Sequence, residues 1–197
     1  WMLPDLLTRW PLPPDATLLP STTGLINLTY LVHVQGRPVA VLQRLNTTVF
    51  SPLVHLDTEA VTAHLASRGV PTPRLIRTRE GALWHTAEDG AVWRLLTPVG
   101  QRTVDRLTSP AEARSAGALV ARFHAATADL EHEFRSVRDG FHDTPRRMDA
   151  LVATLDRHRE HRHREAVASL ANSLLAAWRG WGEVPRLRVR VVHGDLK

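Results

Sequence analysis

The sequence predicts an α+β protein in two halves: an antiparallel sheet with one inserted helix, then a mostly helical region. Three observations carry this reading. Up to residue 97, apolar residues recur at every second position between Gly-containing turns; Leu28, Tyr30, Val32 and Val34, for example, alternate with Thr29, Leu31 and His33. Pro98-Val99-Gly100 then breaks the pattern. Beyond it, apolar residues recur at helical spacing, bounded by residues that start and stop helices.

The elements follow in order. Residues 1 to 20 carry many prolines and read as a short helix over Leu3 to Trp10 and a loop. The strand Leu28 to Val34 turns at Gln35-Gly36 and returns over Val39 to Leu45, with Gly36 supplying the positive φ a tight hairpin needs. Residues 52 to 68 read as a helix with Leu53, Val54, Val61 and Leu65 inward and Gly69 as its stop. Val70-Pro71-Thr72-Pro73 is extended, because each proline disfavours helix in the residue before it. Turns at Glu80-Gly81 and Asp89-Gly90 separate strands over Leu75 to Thr78, Ala82 to Thr86 and Ala91 to Thr97.

In the second half, Ser109-Pro110-Ala111-Glu112 has the form of a capping box with proline at the first helical position. It opens a helix with a stripe of Leu119, Val120, Phe123, Ala126 and Leu130. His124, on that helix, is expected to pack in the core. Thr144-Pro145 opens the next helix, with Met148, Leu151, Val152 and Leu155 inward. A third runs from about Glu165 to Arg179, with Val167, Leu170, Leu174, Leu175 and Trp178 inward, and Gly180 and Gly182 end it. Last comes a strand, Leu187 to Val192, in which Leu187, Val189 and Val191 share a face.

Composition narrows the function classes. Of 197 residues, 43% are hydrophobic and 23% charged, the balance of an ordinary globular chain. Cysteine is absent, which excludes disulfides and thiol chemistry. No apolar run approaches membrane-spanning length, and the proline-broken start is not a signal peptide, so the expectation is a cytoplasmic protein without a membrane partner. Lys197 is the only lysine among 25 basic residues, leaving 24 arginines, and the formal net charge is +5. The arginines are dispersed among acidic residues and not clustered with aromatics, which argues against a nucleic-acid surface and for one that tolerates anionic small ligands. His158, His161 and His163 stand among arginines that repel a cation, so a solvated surface is expected there and not a zinc site.

The final residues carry the chemistry. The strand to Val192 runs into His193-Gly194-Asp195-Leu196-Lys197, a turn that presents one carboxylate and one ammonium. Kinases place a catalytic Asp after a strand in this manner, in His-Arg-Asp-Leu followed by an Asn five positions after the Asp. With Gly194 in place of the Arg, the chain resembles the aminoglycoside phosphotransferase and choline kinase superfamily, which phosphorylates small molecules on a protein-kinase-like, bilobal scaffold. The resemblance implies a nucleotide-binding lobe over residues 1–97, a hinge at 98–102 and a helical lobe over 103–197 that stops at the catalytic loop. It also implies ATP and Mg²⁺, with the metal ligands expected beyond Lys197 and none within the chain. Trp1 and the ending inside a motif read as a fragment.

Within that resemblance, Asp195 is the group that orients the acceptor hydroxyl and takes its proton late, because a carboxylate has the reach and basicity to act as the bond to phosphorus forms. Lys197 reaches the γ-phosphate, and His193 props the loop. Thr22, Thr23, Gly24 and Asn27 form the candidate phosphate-covering turn, with an ordinary β-turn as the alternative. Kinases carry a lysine on the third strand; here Gln43 and Arg44 stand there, on opposite faces, so only one of them faces the cleft. Glu59, on the inserted helix, sits where kinases pair a glutamate with that cation. Thr97, at the end of the first lobe, and Val99, in the hinge, are further candidate nucleotide contacts.

Several stretches resemble the N-acetylhexosamine 1-kinase branch of the superfamily. They are Gly24-Leu25-Ile26-Asn27 with Thr29-Tyr30-Leu31-Val32, Leu42-Gln43-Arg44-Leu45-Asn46 with Val49-Phe50, Val61-Thr62-Ala63-His64-Leu65, Trp93-Arg94 and Phe141-His142-Asp143-Thr144. They cover most of the chain from residue 21 onward and imply a sugar or amino-sugar kinase. His142 and Asp143 are candidate acceptor contacts, and Asp143 or Thr144 equally suits the N-cap of the helix that follows. Two alternatives stay open: a kinase for aminoglycosides or other metabolites, and a catalytically incomplete binding module of the same fold.

Overall fold

A computed structural model describes residues 3–21, 26–100, 104, 106–182 and 188–194. Two compact units divide the chain: Trp1–Val137 with Arg190–Lys197, and Arg138–Val189.

The first unit is built on a six-stranded antiparallel sheet. Its elements are α1 (Leu3–Leu7), β1 (Thr17–Ser21), β2 (Leu28–Val34), β3 (Arg37–Arg44), α2 (Val54–Ser67), β4 (Leu75–Ile76), β5 (His85–Thr86), β6 (Val92–Leu96) and α3 (Pro110–Ala126). The strand order is β1-β2-β3-β6-β4, and β5 also pairs with β6. Strands β4 and β5 share one edge of β6, β4 beside Leu95 and Leu96 and β5 beside Val92 and Trp93. At the β2–β3 hairpin both central residues have positive φ, 50° at Gln35 and 74° at Gly36. This is the turn whose twist matches the flanking strands.

Register sorts the side chains into two faces. Tyr30 lies beside Leu42 and Val32 beside Ala40, while Leu42 and Arg44 lie beside Leu95 and Trp93. That face carries the main core, where Leu6, Leu7 and Trp10 pack on Val32, Ala40, Leu42, Ala91, Trp93 and Leu95. Trp10 is wholly buried, and its indole Nε1–H donates to the carbonyl of Ile76 at 3.0 Å, so its one polar atom is satisfied. On the opposite face Thr29 lies beside Gln43, and Gln43 beside Arg94.

Several elements depart from the sequence reading. Residues 17–20, expected as loop, form edge strand β1 together with Ser21; Pro20 is tolerated because an edge strand need not donate on its outer side. Helix α1 ends at Leu7, short of Trp10. The strand expected over Leu75 to Thr78 ends at Ile76, and the one over Ala82 to Thr86 starts at His85. Thr78 instead closes a turn, its N–H donating to Ala82 O at 2.8 Å.

Helix α2 buries His55, Asp57, Thr62 and Leu65, while Leu53, expected inward, is exposed. The inward polar residues are held by tertiary contacts that apolar periodicity does not register. Asp57 Oδ1 accepts from His132 Nε2 at 2.9 Å and from the N–H of Arg135 at 2.8 Å, and Oδ2 accepts from the N–H of Ser136 at 2.8 Å. His64 Nε2 lies 3.0 Å from the carbonyl of Ala126, at the end of α3. Together these tie α2 to α3 and to the segment after it. Ser109 caps α3 as expected, accepting from Glu112 N at 3.2 Å. Glu112 bonds the N–H and hydroxyl of Thr108, one residue before the cap. On α3, Ala126 is buried but Leu119 is exposed.

The second unit pairs α4 (Thr144–Arg157) with α5 (Arg164–Trp181). Met148, Leu151 and Leu155 are half-buried on α4, but Val152 is exposed. On α5 the inward face is Ala168, Ala171, Leu175 and Trp178; Val167, Leu170 and Leu174 are exposed. Gly180 lies inside the helix, and Gly182 ends it at a φ of 82°. The expected strand Leu187 to Val192 is not one among the described residues: 188–192 pair with no strand there, and Val189 is fully exposed. Alternating residues hold a strand only where a neighbouring backbone supplies the hydrogen bonds.

Candidate functional site

Asp195 and Lys197, and Thr22, Thr23 and Gly24 of the candidate phosphate turn, lie outside the described residues. The structure describes their neighbours in sequence, His193 and Gly194 before the carboxylate and Asn27 at the end of the turn. Gly194 has a φ of 75°, the left-handed region glycine occupies without strain. His193 sets its ring edge-on to Phe123 of α3, with centroids 5.9 Å apart, so the start of the motif is seated on that helix. His124, beside Phe123, is half-buried. Its Nε2 is buried without a partner among the described residues.

The base of the candidate phosphate turn is firmly tied. Asn27 Oδ1 accepts from the N–H of Asn46 at 2.9 Å. Asn46 Oδ1 in turn accepts from the N–H of Thr48 at 3.1 Å and from its hydroxyl at 2.6 Å. Thr29 Oγ1 donates to Asn27 O at 3.4 Å and accepts from Gln43 Nε2 at 3.2 Å. Gln43 Oε1 then accepts from Arg94 Nε at 3.0 Å and from Nη2 at 2.8 Å. A continuous polar row therefore crosses β6, β3 and β2 and ends at Asn27.

Gln43 and Arg44 part as strand geometry requires. Gln43 takes the face of Thr29 and Arg94; Arg44 takes the opposite face and is exposed. Arg44 borders a groove of about 340 Å³ with Ile26, Leu28, Asn46, Thr48 and Asp89. The cation that meets Glu59 comes from neither residue of β3. Arg77, just past β4, places Nη2 3.0 Å from Glu59 Oε1. Glu59 Oε2 is buried without a partner among the described residues.

Two titrating groups on α2 are shifted by their surroundings. Burial lowers His55 to about 4, with the charge of Arg94 adding in the same direction against the hydrogen bond to Pro52. The ring is therefore neutral at pH 7, its Nδ1 is 2.6 Å from Pro52 O, and it stacks on Trp84 with centroids 5.1 Å apart. Burial alone would raise Asp57, but hydrogen bonds from Arg135, His132 and Ser136 outweigh it and hold the carboxyl below its ordinary range.

Around residue 97, both the N–H and the hydroxyl of Thr97 are engaged by Arg74, at 2.8 and 2.9 Å, and Val99 is exposed. His142 and Asp143 belong to the second unit. Asp143 caps α4, accepting from the N–H of Arg146 at 3.0 Å, and His142 packs its ring edge-on to Phe141. No group of three or more His, Asp or Glu among the described residues converges as a metal site, the histidines at 158, 161 and 163 included. No helix among them is long and apolar enough to cross a membrane.

Residues 17–197 match the phosphotransferase enzyme family. The chain belongs to that family. Among solved structures it is similar to an amicoumacin kinase in complex with AMP-PNP, Ca²⁺ and amicoumacin, at 18% identity and a TM-score of 0.64, over 98% of this chain and 57% of that one. It is also similar to a microcompartment-associated aminopropanol kinase, at 19% identity and a TM-score of 0.56, over 78% and 54%. An aminoglycoside phosphotransferase from Alicyclobacillus acidocaldarius matches at 16% identity and a TM-score of 0.56, over 91% and 52%. Among curated proteins no sequence matches. The chain spans little more than half the length of these three proteins, and the likeness establishes the α+β, kinase-like fold.

Sequence reasoning missed Asp57 and the bonding role of Arg94. The signal for Arg94 was present: a lone arginine between Val92-Trp93 and Leu95-Leu96, on a strand too apolar for a solvated cation.

Proposed function

We propose that this chain forms the nucleotide-binding part and catalytic loop of an ATP- and Mg²⁺-dependent kinase that phosphorylates a hydroxyl group of a sugar or amino sugar. The observation that carries the reading is His193-Gly194-Asp195-Leu196-Lys197 at the end of the family-matched stretch, with Gly194 in the left-handed turn and His193 seated on Phe123. The structural neighbour that binds AMP-PNP and Ca²⁺ supports nucleotide and divalent-ion use. The sugar or amino-sugar acceptor rests on the resemblance of several stretches to the N-acetylhexosamine 1-kinase branch. Aminoglycosides and amino alcohols, named for the neighbours, are the alternatives. On this reading residues 1–97 form the nucleotide lobe, 98–102 the hinge, and the helical lobe begins at 103, in a cytoplasmic enzyme.

The chemistry asked of the chain is small, because phosphoryl transfer needs alignment and charge neutralisation more than covalent help. Asp195 accepts the hydrogen bond of the acceptor hydroxyl and aims its oxygen at the γ-phosphorus. The new O–P bond forms as the bond to the β,γ-bridging oxygen breaks. ADP leaves with that electron pair, and the hydroxyl proton passes to Asp195 and then to water. Lys197 offsets negative charge on the transferred group. No described cluster supplies metal ligands, so no step is assigned through magnesium.

The test is a phosphorylation screen of the full protein with ATP, Mg²⁺ and a panel of sugars, amino sugars, aminoglycosides and amino alcohols, read by ADP release and phosphorus NMR. The expected result is acceptor-dependent ADP release with a phosphomonoester product on a sugar or amino sugar. Turnover confined to aminoglycosides or amino alcohols would correct the acceptor, and ATP left intact with every acceptor would refute the kinase reading.

A further inference from the structure

We propose that Arg94 is the cation that binds the phosphate chain of the nucleotide, with Gln43 holding its guanidinium in place from the strand position where kinases carry a lysine. This rests on the nucleotide-binding reading above and names a residue within it.

Charge is the first argument. Arg94 sits on β6 between the buried residues Trp93 and Leu95 and is itself largely withdrawn from water. Among the described residues its guanidinium bonds only Gln43, and no carboxylate lies within ion-pair distance. A cation taken from water without an anion costs free energy, and an arriving phosphate would offset that cost. Glu59, an acid on α2, is paired with Arg77. His55 is neutral and brings no charge of either sign.

Placement is the second. Arg94 donates through Nε and Nη2 to one oxygen, and the rest of the planar fork stays available for the bidentate contact phosphate oxygens favour. The row Arg94–Gln43–Thr29–Asn27 runs from β6 across β3 to Asn27, immediately before β2. Arg44, the other arginine near that position, is on the opposite face.

Equilibrium binding of ATP, and of adenosine as a probe without phosphates, to the full protein and to its Arg94→Gln, Arg94→Lys and Arg44→Gln variants decides the matter. Arg94→Gln is expected to weaken ATP binding by about 10- to 100-fold, the scale of one charge-assisted bidentate contact, with adenosine affinity unchanged. Arg94→Lys keeps the charge but loses the fork, and should weaken ATP roughly threefold or more, again sparing adenosine; it carries the test if the glutamine variant does not fold. Unchanged ATP affinity in the Arg94 variants, parallel loss of ATP and adenosine, or loss of ATP binding in Arg44→Gln alone would each overturn the assignment while leaving nucleotide binding intact. A wild-type protein that binds neither probe would instead overturn the nucleotide reading itself.

Discussion

The side-chain oxygen of Asn27 accepts the backbone N–H of Asn46 at 2.9 Å, joining the candidate phosphate turn to the strand end that follows Gln43 and Arg44. One hydrogen bond thus holds together two stretches 19 residues apart in sequence. Asn27→Ala leaves the Asn46 N–H without its partner and should cost about 1–3 kcal/mol of stability. Asn27→Asp keeps an acceptor and should cost less. Urea denaturation of the three proteins checks the order.

Asp57 is the anchor of the segment after α3, accepting from His132, Arg135 and Ser136. Asp57→Ala leaves two backbone N–H groups and a histidine unbonded, and a loss of roughly 3 kcal/mol or more is expected. Because the folded carboxyl is held below its unfolded value, its stabilisation is present above the ordinary carboxylate pKa and disappears as pH falls through the lowered one. Asp57→Asn should therefore flatten the acid limb of a stability–pH profile measured by denaturant midpoint.

His55 titrates in the fold at about 4, below the 6.5 of an unperturbed imidazole. Its neutral, buried form contributes stability that is complete above pH 6.5 and declines as the pH falls from there toward 4. Replacing His55 with Phe should remove this part of the pH dependence, leaving a smaller difference between denaturant midpoints at pH 7 and pH 5. A variant as pH-sensitive as wild type over that interval would contradict the assignment.

Trp10 fills the core face of the sheet, wholly buried and bonded to Ile76. Trp10→Ala should cost about 3–5 kcal/mol, the range for removing a large aromatic from a packed core. Thermal unfolding measures it, and a loss below 1 kcal/mol would mean that the Trp10 side chain contributes little to the sheet's stability.

How far the sequence discloses this molecule depends on whether the signal is local. The hairpin at Gln35-Gly36 and the cap at Ser109-Glu112 were legible because a few adjacent residues specify them. The cap at Asp143 was legible only as one of two possible roles, and the structure shows it capping α4. Strand β1 was hidden by Pro20, which sequence rules read as loop. The inner face of α2 was hidden because His55 and Asp57 are polar yet buried, held by residues far along the chain. The same non-locality concealed the partner of Arg94, Gln43, which is 51 residues away. Alternation in 187–192 was misleading because no described strand lies beside it.

Turnover by Asp195→Asn bears most directly on the proposed catalytic role. With the acceptor found by the phosphorylation screen, kcat should fall by about 10²–10⁴, the usual contribution of a positioned general base, while ATP affinity stays within a few-fold of wild type. An Asp195→Asn protein that phosphorylates its acceptor at the wild-type rate would contradict it.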